Sequence, residues 1–337
     1  MNGELIGYEQ QRGWFRNAIA TGRLTSSFLF VGPPNIGKRT FARYLAKSLL
    51  CERVPAAELA PCGVCSHCIQ VAAGTHPDIL QVSKPDDKAE IPVKLLIGRR
   101  EARMQEGLCH DIRLKPMAGG RRIAILDDCD VLNQEGANSL LKTLEEPPPH
   151  ALIILIGTSA QRQLPTIRSR CQIIRFASPT RAEAEQILQR RTGELALEPA
   201  AISAALDAVG DDLSRAIAFL SDEFREFTEL FTKHLLEQPP EAISTARVVT
   251  QFVEAAGTEA PLRRARLSEV GTLAAEVFRR RLRTAAEANQ LRNAQVQRDL
   301  FRMERSLELV RHVDRFANQA TMIEAWAADL QRGAAAG

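Results

Sequence analysis

Phe28-Leu29-Phe30-Val31-Gly32-Pro33-Pro34-Asn35-Ile36-Gly37-Lys38-Arg39-Thr40 is the stretch whose reading decides the fold. An apolar run ends at Gly32, and a loop bounded by Gly32 and Gly37 follows. Lys38 then opens an amphipathic segment, Phe41-Ala42-Arg43-Tyr44-Leu45-Ala46-Lys47-Ser48-Leu49-Leu50. That order predicts a strand, a phosphate loop and a helix. The spacing Gly-x-x-x-x-Gly-Lys lets backbone N–H groups wrap a triphosphate while the lysine neutralises its outer oxygens. A Ser or Thr hydroxyl belongs next, to hold Mg²⁺. Arg39 stands there instead, and Thr40 comes one residue late. One residue along a helix turns a side chain by about 100°, so Thr40 is expected to point away from the metal position. The loop reads as built for nucleotide and poorly equipped to turn it over. ATP is expected to be bound without hydrolysis or not bound.

Further along, Gly119-Gly120-Arg121-Arg122 leads into Ile123-Ala124-Ile125-Leu126 and an acidic tip, Asp127-Asp128-Cys129-Asp130. An apolar strand ending in carboxylates downstream of a phosphate loop is a Walker B arrangement. Asp127 is the expected Mg²⁺-positioning group, and Asp128 sits where a glutamate would polarise the attacking water. Aspartate is one methylene shorter, which puts that second role in question. Ala151–Gly157 reads as another buried strand, and Thr158 at its polar end is counted with the nucleotide-facing residues. Before the first strand, Ile6, Trp14, Phe15, Ala18, Ile19 and Leu24 recur at helical spacing, with Trp14 and Phe15 read as core packing. His76–Val82 reads as a short strand, and a helix is predicted from about Val93 to Cys109.

Between the phosphate-loop helix and that short strand lie Cys51, Cys62, Cys65 and Cys68, spaced C-x10-C-x2-C-x2-C. Four thiolates at tetrahedral corners satisfy Zn²⁺, and each x2 gap lets a tight turn present two sulfurs to one ion. Four cysteines fill the shell, although His67 could stand in for one. No ligand position is left for water, so the zinc is read as structural.

At 337 residues the chain has room for two or three domains. It is 45% hydrophobic, 25% charged and 5% aromatic, the composition of a soluble, helix-rich α/β protein. A net charge of +3 argues against a strong polyelectrolyte partner for nucleic acid. The first residues show no secretory signal, and no stretch approaches a membrane span. Seven cysteines, four of them clustered, suit a reducing cytoplasm and a metal better than a disulfide framework.

Three stretches complete the picture: Asn138-Ser139-Leu140-Leu141-Lys142-Thr143-Leu144-Glu145-Glu146-Pro147-Pro148, Thr166-Ile167-Arg168-Ser169-Arg170-Cys171, and the four-cysteine insert directly after the phosphate-loop helix. Together they resemble the bacterial clamp loaders, the AAA+ subunits of the DNA polymerase III holoenzyme. The resemblance runs through the first two-thirds of the chain. It implies an α/β AAA+ P-loop core with a parallel sheet and a zinc module (51–68) over residues 1–177. A small helical lid over 178–225 and an all-α collar over 226–337 would follow. In this family the Ser-Arg-Cys arginine, matched here by Arg170, reaches the γ-phosphate of ATP on a neighbouring subunit. The lid motif Gly-x-Leu-Arg-x-Ala supplies a further arginine in active ATPases; here Ser214 holds that place and Arg215 lies one residue late.

The resemblance therefore implies a non-hydrolysing subunit of a five-membered ring. Its partners would be delta and gamma/tau subunits, and through the assembly the sliding clamp and primer-template DNA, with no membrane contact. An active gamma/tau-like ATPase is the alternative, against which stand Arg39, Asp128, Ser214 and the lack of a long C-terminal extension. A zinc-knuckle DNA-binding protein is a third reading, weakened because Gly63-Val64 and Ser66-His67 carry no cation. The run Arg263, Arg264, Arg266, Arg279, Arg280, Arg281 and Arg283 would meet DNA or form a solvated helix face.

Overall fold

The computed structural model describes residues 5–85, 88–118, 120–191, single positions between 199 and 220, and 222–237, 239–257, 259–288, 293–313 and 318–333. The chain forms two compact units, residues 1–183 and 184–337.

The first unit is built on a five-stranded parallel sheet of order β2-β3-β4-β1-β5. The strands are β1 (Ser27–Val31), β2 (Ile79–Val82), β3 (Arg122–Leu126), β4 (Ala151–Gly157) and β5 (Gln172–Arg175). β1, β3 and β4 are buried along their whole length, which is why they read as unbroken apolar runs rather than alternating ones. Within β1 the side chains still alternate between faces. Phe28 and Phe30 pack with Phe15, Phe41 and Phe176 on one side; Leu29 and Val31 pack with Leu126, Leu140 and Leu155 on the other. Helix α1 (Glu9–Ala20) buries Phe15, whereas Trp14 lies edge-on to Phe15 and Phe28 and stays 39% exposed. Trp14 is thus only half in the core. Helices α2 (Lys38–Leu49), α3 (Ser66–Ala73) and α4 (Gln134–Glu145) complete the layers. The order is that of the AAA+ P-loop core. It seats β1 between β4 and β5, so the loop after β1 opens at the carboxyl ends of the strands where connections diverge, the usual ligand position of such sheets.

The helix predicted from about Val93 to Cys109 does not form as one piece. It is two short turns, Lys94–Ile97 and Leu108–Asp111, separated at Gly98 and Gly107. Both glycines have positive φ, +83° and +87°. A Cβ on Gly98 would lie 2.7 Å from the Ala102 carbonyl, and one on Gly107 would lie 2.7 Å from the Gly98 nitrogen. The two backbones meet where an α-helix would hold them apart. The strand expected from His76 begins only at Ile79. Asp78, fully buried, instead accepts the N–H groups of Met117 and Ala118 at 2.7 and 2.9 Å and sits 3.5 Å from the Arg122 guanidinium.

Thr180 caps α5 (Arg181–Arg191) reciprocally with Glu183: the Thr180 N–H and hydroxyl donate to the Glu183 carboxylate at 2.8 Å, and the Glu183 N–H donates to the Thr180 hydroxyl at 3.4 Å. Between 192 and 221 the expected lid is described only at single positions, and Ser214 and Arg215 lie outside the described residues. The second unit is helical, with α6 (Asp222–Leu236), α7 (Ala242–Glu254), α8 (Ala260–Glu287), α9 (Ala294–His312) and α10 (Gln319–Arg332). Phe227 and Phe252 stack with centroids 3.8 Å apart in a core that also takes Phe231, Phe278 and Trp326. Residue 225, where the lid was expected to end, is inside α6, and residues assigned to lid and collar share that core.

Candidate functional site

The phosphate loop forms as its spacing dictates. β1 runs so close to the end of β5 that a Cβ on Gly32 would lie 2.2 Å from the Phe176 carbonyl, so only glycine fits. Gly37, at φ +102°, turns the chain into α2. Lys38 is buried and curls back into the loop, where its ammonium donates to the Gly32 carbonyl at 2.8 Å and to the Pro33 carbonyl. Burial pulls its pKa down, while Asp127 and then Asp130 oppose the shift.

Arg39 comes near the acidic tip. Arg39 Nε lies 3.8 Å from Asp127 Oδ2, so the arginine that replaces the Ser/Thr hydroxyl pairs with the carboxylate expected to position Mg²⁺. Arg39 and Thr40 are both exposed. Burial pushes the Asp127 carboxyl up, with the Asp128 N–H, Arg39 and Lys38 pulling it back. Asp128 is exposed and left-handed, at φ 56°, and its carboxylate accepts the Lys84 N–H at 3.4 Å.

Thr158 is adjacent to the loop, its carbonyl accepting the Gly32 N–H at 3.2 Å. Its own N–H and hydroxyl donate to Asp130 Oδ2 at 2.7 and 2.6 Å, and Gln163 Nε2 donates to Asp130 Oδ1 at 2.6 Å. Asp130 is thus the residue that holds the end of β4 against the acidic tip, and sequence reading passed over it. The signal was Gly157, where a Cβ would lie 2.7 Å from Asp130 Oδ1.

The four cysteines converge. The Sγ atoms of Cys51, Cys62, Cys65 and Cys68 all lie within 4.8 Å of one another, and Cys62 and Cys68 are 3.9 Å apart. Tetrahedral Zn–S bonds of about 2.3 Å place sulfurs ~3.8 Å apart, so the set fits a thiolate-bound ion. Backbone N–H groups of Cys62, Cys65 and Cys68 point at the sulfurs of Cys51, Cys62 and Cys65 at 3.4–3.5 Å, which supports thiolate charge. His67 is no ligand. Its Nδ1 meets His76 Nε2 at 2.7 Å and its Nε2 meets Glu52 at 2.9 Å, while His76 Nδ1 accepts the Asp78 N–H at 3.1 Å. That acceptor role puts the proton of a neutral His76 on Nε2, so the chain donates from Asp78 through both rings to Glu52. Arg43 ties the module to α2 by donating to the Val71 and Ala72 carbonyls at the end of α3.

Arg170 follows the short turn Pro165–Arg168 and folds back on its own subunit. Nη1 donates to the Thr166 carbonyl at 2.9 Å and to Ser169 Oγ at 3.2 Å, and Nη2 pairs with Glu145. The neighbouring Cys171 is buried, its thiol pushed up to about 12.

The basic run in the second unit is largely neutralised by its own chain. Arg266 bonds Glu223 at 2.6 Å, Arg279 and Arg280 share Glu276 at 2.7 and 3.4 Å, Arg281 meets buried Asp299 at 2.8 Å, and Arg283 meets Glu287 at 3.0 Å. Among the described residues no helix is long and apolar enough to cross a membrane.

Sheet order and phosphate loop together define a P-loop protein of the AAA+ class. The family model described as DNA polymerase III, delta subunit, matches residues 8–180, just over half the chain, and the chain belongs to that family, as its resemblance to clamp-loader subunits implies. It is 39% identical over 145 residues to DNA polymerase III subunit delta' of Pseudomonas aeruginosa, covering 43% of this chain and 41% of the relative. It is 30% identical over 224 residues to subunit tau of Escherichia coli, covering 65% of this chain and 32% of that relative. The chain therefore spans less than half the length of either. The Thermotoga maritima gamma subunit-related protein of DNA polymerase III aligns over 96% of this chain and 99% of its own, at 16% identity and a TM-score of 0.47.

Proposed function

We propose that the chain is a delta-prime-like clamp-loader subunit that does not hydrolyse ATP itself. It would stand in a heteropentameric ring beside delta and gamma/tau subunits and lend Arg170 to a neighbour's ATP. Through that assembly it would help load the sliding clamp onto primer-template DNA in the cytoplasm. The observation that carries this reading is the Arg39–Asp127 pair, which puts a guanidinium where a hydroxyl would hold Mg²⁺. Lys38 bonds the loop's own carbonyls, so nucleotide binding would require it to turn outward. In the same proposal Cys51, Cys62, Cys65 and Cys68 hold a structural Zn²⁺, and residues 178–225 and 226–337 serve as lid and collar. A planar, always-charged guanidinium suits the role given to Arg170, and such trans arginines contribute on the order of 10³–10⁵ in rate where measured.

A second reading, an active gamma/tau-like ATPase, is favoured by the longer match to tau. Mg²⁺-dependent ATP hydrolysis separates the two. The purified chain alone is expected to be silent and to be required for turnover when mixed with delta and gamma/tau subunits. Hydrolysis by the isolated chain that disappears in Lys38→Ala would make it a motor subunit.

A further inference from the structure

The arginine proposed to cross a subunit boundary is already engaged within its own subunit. Glu145 is the last residue of α4, and its carboxylate pairs with Arg170 Nη2. The open carbonyls of a helix end carry partial negative charge, which adds to the attraction. Nη1 is held by the Thr166 carbonyl and Ser169 Oγ, so the guanidinium has a defined seat. Nε is buried and without a partner. The seat is open to exchange: the side chains of Arg170 and Glu145 are 31% and 47% exposed. A γ-phosphate oxygen seeks the same N–H donors that Glu145 occupies, and one guanidinium edge cannot serve both at full strength.

We propose that Glu145 is a positioning residue that parks Arg170 on its own subunit and gives it up only to the higher charge of a neighbour's triphosphate. This rests on the trans-arginine reading of Arg170. A half-exposed ion pair holds its partner by a factor of about two to five, so parking would lower unstimulated turnover by a similar factor and be overcome when the ring closes.

Two measurements test it. On the full chain alone, arginine modification by phenylglyoxal is followed at Arg170 by peptide mass spectrometry. Glu145→Gln is expected to raise the rate about two- to five-fold, while Glu146→Gln, the same charge change one residue on, leaves it at the wild-type value. An unchanged rate in Glu145→Gln, or an equal rise in Glu146→Gln, overturns the parking. In the ring reconstituted with delta and gamma/tau subunits, Glu145→Gln is expected to raise kcat for ATP hydrolysis without clamp or DNA by about the same factor. KM should not move, and the effect should vanish in an Arg170→Ala background. A fall in kcat would mean that Glu145 orients the arginine rather than withholding it, and overturns the proposal. If Arg170→Ala by itself leaves ring turnover unchanged, the trans-arginine reading fails, while the phenylglyoxal result still decides whether Glu145 parks the side chain.

Discussion

At the position after a loop lysine, a hydroxyl and a guanidinium have opposite effects on a divalent cation: one ligates it and the other repels it. Arg39 also stands 3.8 Å from the Asp127 carboxylate. That Arg39 stands where a Ser or Thr belongs, with Thr40 one residue late, was readable from spacing alone, because a helix start fixes direction residue by residue. The partnership with Asp127 was not, because the strand-end pattern assigns Asp127 to a metal and linear order does not say that Arg39 comes within reach of it. Asp127 also offers a test by pH. Burial is the largest influence on its carboxyl and raises its pKa above the ordinary 3.8. A raised folded-state pKa means that the folded chain holds the proton more tightly than the unfolded one. The associated stability is present below the unfolded value and lost as pH rises through the folded one. Asparagine never ionises and escapes that loss. Asp127→Asn is therefore expected to melt with the wild type near pH 3 and above it at pH 7 in thermal scans. A variant that melts lower at pH 7 would show that the pairing with Arg39 outweighs burial.

Among the elements, those defined by local chemistry were legible, and those defined by a close approach were not. The four-cysteine cluster followed from ligand spacing, and its sulfurs gather within 4.8 Å of one another, close enough to close on one ion. The helix expected from Val93 failed because the apolar spacing of Leu95, Leu96, Ile97 and Leu108 suits a helix, while Gly98 and Gly107 are there to let two backbone segments touch. A glycine in a helical pattern signals weakness in the helix, but its contact partner becomes visible only in three dimensions. The cysteine module makes its own prediction. It is fastened to α2 twice, by Arg43 on the Val71 carbonyl and by the Tyr44 hydroxyl on the Leu59 carbonyl. Without an ion the cluster cannot keep four thiolates together and takes up protons, which removes the bond set that closes the module. Removing the metal with a chelator, or replacing Cys68 with Ser, is expected to cost about 2 kcal/mol or more, a melting shift on the order of 4–8 °C. Far-UV circular dichroism should keep most of its signal, because the sheet core lies elsewhere. One equivalent of zinc released per chain, measured colorimetrically, should accompany the shift. A chain that carries no metal and melts the same with chelator would remove the structural-zinc reading.

For the molecule as a whole, charge is the property that composition sets and structure redistributes. Lys and Arg number 44 against 41 Asp and Glu, an excess too small to attract a polyanion over distance. The run from Arg263 to Arg283 left open a local exception, a basic stripe that could follow a phosphate backbone. The helices answer with acids of their own. Glu223, Glu276, Glu287 and Asp299 each stand against arginines of that run, and Arg266 also lays its guanidinium 4.7 Å over the Phe252 ring. Arginines held this way release few counterions when DNA approaches, and counterion release is what gives nonspecific DNA binding its strength and its salt slope. The isolated chain is therefore expected to bind primed DNA no tighter than about 10⁻⁴ M near 0.15 M salt, with a log–log salt slope no steeper than about −2. Replacing Arg279, Arg280 and Arg283 together by Gln should change that slope by less than about one. A fluorescence anisotropy titration across salt decides the matter. A steep slope that collapses in the triple variant would show that these arginines leave their carboxylates for phosphate. DNA contact would then belong to this chain itself rather than only to the ring it is proposed to join.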